Sequence, residues 1–161
     1  MEIKTEKLFD LVLYGAPHML GRIPAGQRRM VQITGGSFEG PRLRGEVLPV
    51  GVDIATIRDD GVFEPHVTAL LKTSDGALIQ MRYEGRFHAP PLIMERLIER
   101  DPGVQPSDFY LWNAVFFETA AESYVWLSKL LAISTGMPQP NSALGIGMRY
   151  EVYVVGTTLK S

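Results

Sequence analysis

Two short segments, Asp59-Asp60-Gly61 and Ser74-Asp75-Gly76, constrain this chain more than any other feature. The first separates the runs Val52–Arg58 and Val62–Glu64; the second separates Val67–Thr73 from Ala77–Phe87. Asp-Gly supplies the positive φ that a tight hairpin turn needs, so each pair of runs is expected to be two neighbouring antiparallel strands. Long strands joined by tight turns with little helix between them favour a barrel or a sandwich.

Upstream, Leu8–Tyr14 reads as a first strand closed by Gly15-Ala16-Pro17, and a long loop is expected to reach Gly26. Arg28–Thr34 alternates charged or polar Arg28, Gln32 and Thr34 with apolar Val31 and Ile33, a half-buried strand ending at Gly35-Gly36, although Met30 interrupts the alternation. Downstream, Pro91–Arg100 is expected to be a helix over a barrel end. Proline suits the first turn, Leu92, Ile93, Leu97 and Ile98 form one stripe, and Asp101-Pro102-Gly103 stops it. Phe109–Glu118 returns to strand, and Thr119 to Glu122 has capping-box spacing for a brief helix starting near Ala120. The segment from Trp126 to Ser134 either continues that helix or turns to strand, the latter being favoured; Gly136–Pro140 reads as a turn and Ile146–Val155 as the last strand.

The resulting expectation is one mainly β domain over residues 1–161, an antiparallel β-barrel with one or two short helices. A chain of this length buries about 70% of the surface its unfolded form exposes, enough for a single core. Composition removes several chemistries. With no cysteine there is no thiolate nucleophile, disulfide, iron–sulfur cluster or thiolate zinc site, and a reducing cytoplasm is the natural expectation. No basic patch and apolar run follows Met1, and no segment reaches about 18 uninterrupted apolar residues, so neither secretion nor membrane spanning is expected. A net charge of −2, with Arg28-Arg29 the only adjacent basic pair, argues against nucleic-acid binding.

The segment ITGGSFEGPRLRGEVLP over residues 33–49, followed by Asp53, by Ser74-Asp75-Gly76-Ala77-Leu78-Ile79 and by Arg82-Tyr83-Glu84-Gly85, closely resembles the domain-of-unknown-function family 3237, also seen as UPF0311-like proteins. Tyr124-Val125-Trp126-Leu127 looks like a later signature of that family. The resemblance covers nearly the whole chain and implies a β-barrel of calycin-like shape. It implies little about activity, because fold alone does not fix function. Two positions depart from the family pattern: Ile54 stands where relatives often carry an aromatic, and Ser128 where many carry Asn.

Several residues are candidates for chemistry. Asp53 is a carboxylate among apolar neighbours; buried, its pKa would rise and it would serve as general acid or base, and otherwise it is a strand-start residue bonding backbone amides. His66, between Pro65 and Val67, would exchange protons at a barrel mouth, or is simply a surface histidine. The family resemblance favours a functional Asp53. His18, His66 and His88 show no metal-ligand spacing, so no metal or other cofactor is expected.

The alternating Arg42, Arg44, Glu46 and Arg82, Glu84, Arg86, His88 are either the solvated side of a sheet or a wet barrel interior. In the interior, Arg44 or Arg82 would hold an oxyanion. Tyr110, Trp112 and Phe116 share parity on one strand, and Tyr83 and Trp126 are taken with them, as core filling or as aromatic walls of a small-ligand site.

The leading expectation is a cofactor-independent enzyme of lyase, hydratase, isomerase or cyclase type. Its barrel cavity would hold a small hydrophobic, aromatic or polyketide-like molecule, with Asp53 or His66 moving a proton. The alternatives are a ligand-binding barrel without chemistry and a self-associating structural module. A homodimer or higher homo-oligomer is compatible with all three.

Overall fold

A computed structural model describes residues 1–156. Nine strands form the fold: β1 (Thr5–Ile23), β2 (Gly26–Glu39), β3 (Arg44–Ile57), β4 (Phe63–Glu64), β5 (His66–Thr73), β6 (Leu78–His88), β7 (Tyr110–Glu118), β8 (Ala132–Ser142) and β9 (Gly145–Val155). All pairings are antiparallel. Following them round, β1 pairs with β2, β2 with β3, β3 with β5, β5 with β6, β6 with β7, β7 with β8, β8 with β9, and β9 with β1. The sheet therefore closes into a barrel, and the short β4 bridges β3 and β6 at one end. Closure removes the exposed strand edges that an open sheet would leave for aggregation.

Both hairpins form as the turn chemistry dictates, with Gly61 at φ 85° and Gly76 at φ 91°. In the second turn the Thr73 hydroxyl accepts the Ala77 N–H at 2.8 Å. Helix α1 (Pro91–Ile98) starts with proline in its first turn and buries Leu97. It ends as Arg100 enters the left-handed region at φ 57°, a helix-terminating conformation usually given to glycine.

Elsewhere the strands run longer than the turn residues suggested. β1 continues through Gly15-Ala16-Pro17 to Ile23, so the expected long loop is instead a hairpin. Pro17 is tolerated because the β9 pairing ends at Gly15, leaving β1 bonded to β2 alone. Gly35-Gly36 lies inside β2, and Gly136–Pro140 lies inside β8; the turn that joins β8 to β9 falls between Ser142 and Gly145. The expected capping box at Thr119 gives way to a different arrangement. Its hydroxyl accepts the Ala121 N–H at 3.1 Å, and a 3-10 helix then runs over Glu122–Lys129 before β8 begins.

The barrel interior divides into two halves. At the end reached by the starts of β1 and β6, Phe9 packs on Phe38 and Phe117 with ring centroids 5.4 and 5.9 Å apart, and Leu71, Ile79 and Met81 are fully buried around them. Leu127 of the 3-10 helix plugs this end, and the Tyr124 hydroxyl donates to Asp75 of the β5–β6 turn. The opposite half is hollow, and α1 lies over it, lining the space with Met94, Leu97 and Ile98.

Candidate functional site

Strand parity decides what faces the hollow half. In β2, Val31 and Ile33 are buried, so Arg29, two residues earlier on the same face, also points inward. Asp53 of β3 pairs with Val31 on one side and Val67 on the other; Val67 pairs with Tyr83, and Tyr83 with Val115. This cross-strand row carries Asp53 and Tyr83 into the cavity between buried valines. A bulge helps aim it: Val47 and Gly51 of β3 pair with Leu71 and Ala69, so β3 spends more residues than β5 over this stretch. Tyr150 of β9 completes the floor, its ring 5.5 Å from that of Tyr83.

The cavity has a volume of about 300 Å³. Its walls are mostly apolar, with Leu13, Phe63, Phe87, Leu111, Ile146 and Met148 around the polar groups. Size and composition suit one small, ring-bearing molecule. At the rim, Arg100 Nε donates to the Gln139 carbonyl at 3.0 Å, and Gln139 Nε2 donates to the Tyr14 hydroxyl at 2.9 Å, tying the end of α1 to β8 and β1.

Burial pushes the Asp53 carboxyl above its ordinary range. The opposing effects are weaker: the His66 N–H donates to Oδ1 at 3.0 Å, and the charges of Arg29 and His66 favour the carboxylate. Burial also raises both phenols. Tyr150 is pushed up to about 12, with hydrogen bonding to Tyr83 acting the other way, and Tyr83 is driven well above its ordinary value. At neutral pH both are neutral hydroxyls beside a carboxyl that gives up its proton less readily than usual.

Of the residues singled out in the sequence, Asp53 and Tyr83 line this cavity. The others lie elsewhere. The His66 imidazole is exposed, with Nδ1 3.4 Å from Glu84, and only its backbone reaches the site. Arg44 is exposed at the filled end. Arg82 lies on the outer surface, 5.3 Å from the Phe116 ring centroid.

The outward position of Tyr110, Trp112 and Phe116 corrects an inward parity for β7. The buried face is Leu111, Asn113, Val115 and Phe117, which leaves the three aromatics 48%, 40% and 41% exposed. Trp126 sits on the 3-10 helix beneath Arg42, whose guanidinium lies 3.8 Å from the ring centroid. Bulky rings were a poor guide because a barrel's outside tolerates them, whereas a valine–leucine alternation marks the inside. Arg29, Tyr150 and Arg100 were not singled out. The parity of Arg29 with Val31 and Ile33 was the available signal for that residue. Among the described residues, no three His, Asp or Glu side chains gather as a metal-binding group.

The family described as "Protein of unknown function (DUF3237)" matches residues 3–155. A UPF0311 protein of Rhodopseudomonas palustris is 31% identical over 134 residues, covering 83% of this chain and 87% of its own. The solved structure of a β-barrel-like protein from Acinetobacter baumannii superposes with a TM-score of 0.78 at 30% identity, covering 97% of this chain and 98% of that one. An enzyme from Penicillium herquei superposes with a TM-score of 0.67 at 25% identity over 97% and 96% of the two chains.

Proposed function

The chain belongs to the DUF3237 family, and we propose that it is a cofactor-independent enzyme moving protons on an aromatic or polyketide-like molecule held in the barrel cavity. The observation that carries this reading is Asp53, a half-buried carboxyl set between Val31 and Val67 on the lining of a mostly apolar cavity, with desolvation raising its pKa. An acid–base group works best when its pKa lies near the operating pH, and burial is the usual means of moving a carboxylate there. The likeness to an enzyme from Penicillium herquei agrees with a catalytic role for the barrel.

In the proposed reaction, the Asp53 carboxylate takes a proton from an acidic carbon or hydroxyl of the substrate. The electron pair left behind passes into a conjugated carbonyl oxygen, where the neutral phenol of Tyr83 or Tyr150 donates a hydrogen bond. Asp53 then returns the proton at a second position, which gives isomerisation or ring closure by addition. Alternatively a leaving group departs, which gives elimination. None of these outcomes needs an electron acceptor or a second substrate. The His66 imidazole, facing Glu84 outside, has no part in this scheme.

The same cavity also fits a carrier that binds without converting. Native mass spectrometry with a panel of aromatic and polyketide-like metabolites separates the two readings. A converted ligand, lost with Asp53→Asn, is the expected result; bound but unaltered ligand throughout the panel would replace the enzyme by a carrier.

A further inference from the structure

Arg29 is a half-buried cation lining an apolar cavity; its charge favours the carboxylate form of Asp53, but among the described residues no carboxylate lies within ion-pair distance of it. It lines the hollow half with Phe63, whose ring centroid lies 5.0 Å from the guanidinium carbon. Its Nε is buried without a hydrogen-bond partner. The nearby Asp53 gives its hydrogen-bonded oxygen to the His66 backbone instead. The other arginine of the cavity, Arg100, is engaged with the carbonyls of Gln139 and Ile98.

A charge taken partly out of water without hydrogen-bonded counter-charge is costly, and an anionic ligand oxygen at the guanidinium would offset that cost. We infer that Arg29 is the anchor for an anionic oxygen, and that the cavity's ligand is a flat, ring-bearing monoanion such as an aromatic carboxylate or an acidic phenolate. The ring would lie among Phe63, Phe87 and Met148, and the charged oxygen would face the guanidinium edge. A dianionic phosphate fits poorly, because Asp53 and two neutral phenols share the floor, and among the described residues the other arginine lining the cavity, Arg100, is bound to backbone carbonyls.

This inference rests on the cavity being a ligand site, and the test separates the two. Isothermal titration would compare 2-naphthoate with its neutral counterpart 2-naphthamide on the native protein and on Arg29→Met, whose fold is checked by its melting temperature. The native protein is expected to prefer the carboxylate by about tenfold or more, the usual worth of a charge-assisted hydrogen bond. Arg29→Met should erase that preference while keeping the amide's affinity, and Arg29→Lys should restore part of it. Equal binding of the two probes by the native protein, or an unchanged preference in Arg29→Met, overturns the anionic anchor alone. Binding of neither probe overturns the cavity as a ring-binding site, and the anchor falls with it.

Discussion

The backbone N–H of His66 donates a 3.0 Å hydrogen bond to Asp53 Oδ1 across the β3–β5 seam. That bond satisfies one oxygen of a carboxyl that is otherwise walled by Val31 and Val67, and it holds the side chain in the cavity without neutralising it. The most exposed residue of the pair thus positions the most buried one through its main chain.

Asp53→Asn keeps a carbonyl oxygen for the His66 N–H, so the fold should survive. Turnover should fall by about 10²–10⁴-fold, the usual worth of a general acid–base group. The folded-state pKa of Asp53 lies above its unfolded value, so the stability linked to its protonation is complete below the unfolded pKa and is lost as pH rises through the folded one. The Asn protein lacks that loss. Melting temperatures of the two proteins should therefore diverge in favour of Asn as pH rises above the unfolded Asp value of about 4. Divergence in the opposite direction would mean that Asp53 is stabilised as a carboxylate.

Tyr83 and Tyr150 should resist alkali. Tyr150 ionises at about 12 in the folded protein against an ordinary 10.0, and burial raises Tyr83 well above that ordinary value, so native stability should decline as pH rises past 10.0 because the unfolded state sheds its protons first. For Tyr150 the loss amounts to about 3 kcal/mol. Ultraviolet titration should find two of the six tyrosines silent until the protein unfolds, and Tyr150→Phe should flatten the alkaline fall in urea midpoint. Full titration of all six before unfolding would contradict the burial of this pair.

His66→Ala and Trp112→Ser test the outer surface. Both side chains face away from the cavity, and the alanine keeps the N–H that Asp53 needs. Each variant should stay within about 0.5 kcal/mol of the native stability. Ligand binding and turnover should be unchanged; a large loss of activity in His66→Ala would bring the imidazole back into the chemistry.

Gly51→Ala should be among the most damaging single changes near the site. At φ 119° the backbone suits only glycine, and an added Cβ would lie 2.1 Å from the Thr68 carbonyl oxygen. The added methyl would push β3 away from β5 just before Asp53, at a cost of about 3 kcal/mol or more from strain and a broken bulge. Gly76→Ala meets nothing within 4 Å at φ 91° and should cost only the conformational penalty, about 1–2 kcal/mol. Urea denaturation of the two variants would expose the difference, and equal losses would show that the close approach to Thr68 is relieved at little expense.

The barrel could be read from local chemistry because its determinants are local. Asp-Gly turns at Gly61 and Gly76 specify hairpins, an initial proline and an apolar stripe specify α1, and the alternation in β5 and β6 specifies their inner faces. Asp53 was legible as a carboxylate set in an apolar run, and Tyr83 as an aromatic on the apolar face of a strand whose other face is charged. Three things needed the closed structure. Gly15, Gly35 and Gly136 look like strand ends in sequence, yet pairing with a neighbouring strand carries the chain straight through them. The aromatics of β7 look like a pocket wall, but a one-residue difference in parity turns every side chain of a strand to its other face. And the meeting of Arg29, Asp53, Tyr83 and Tyr150 joins four strands separated in sequence, a proximity set by barrel closure and register and by no spacing along the chain.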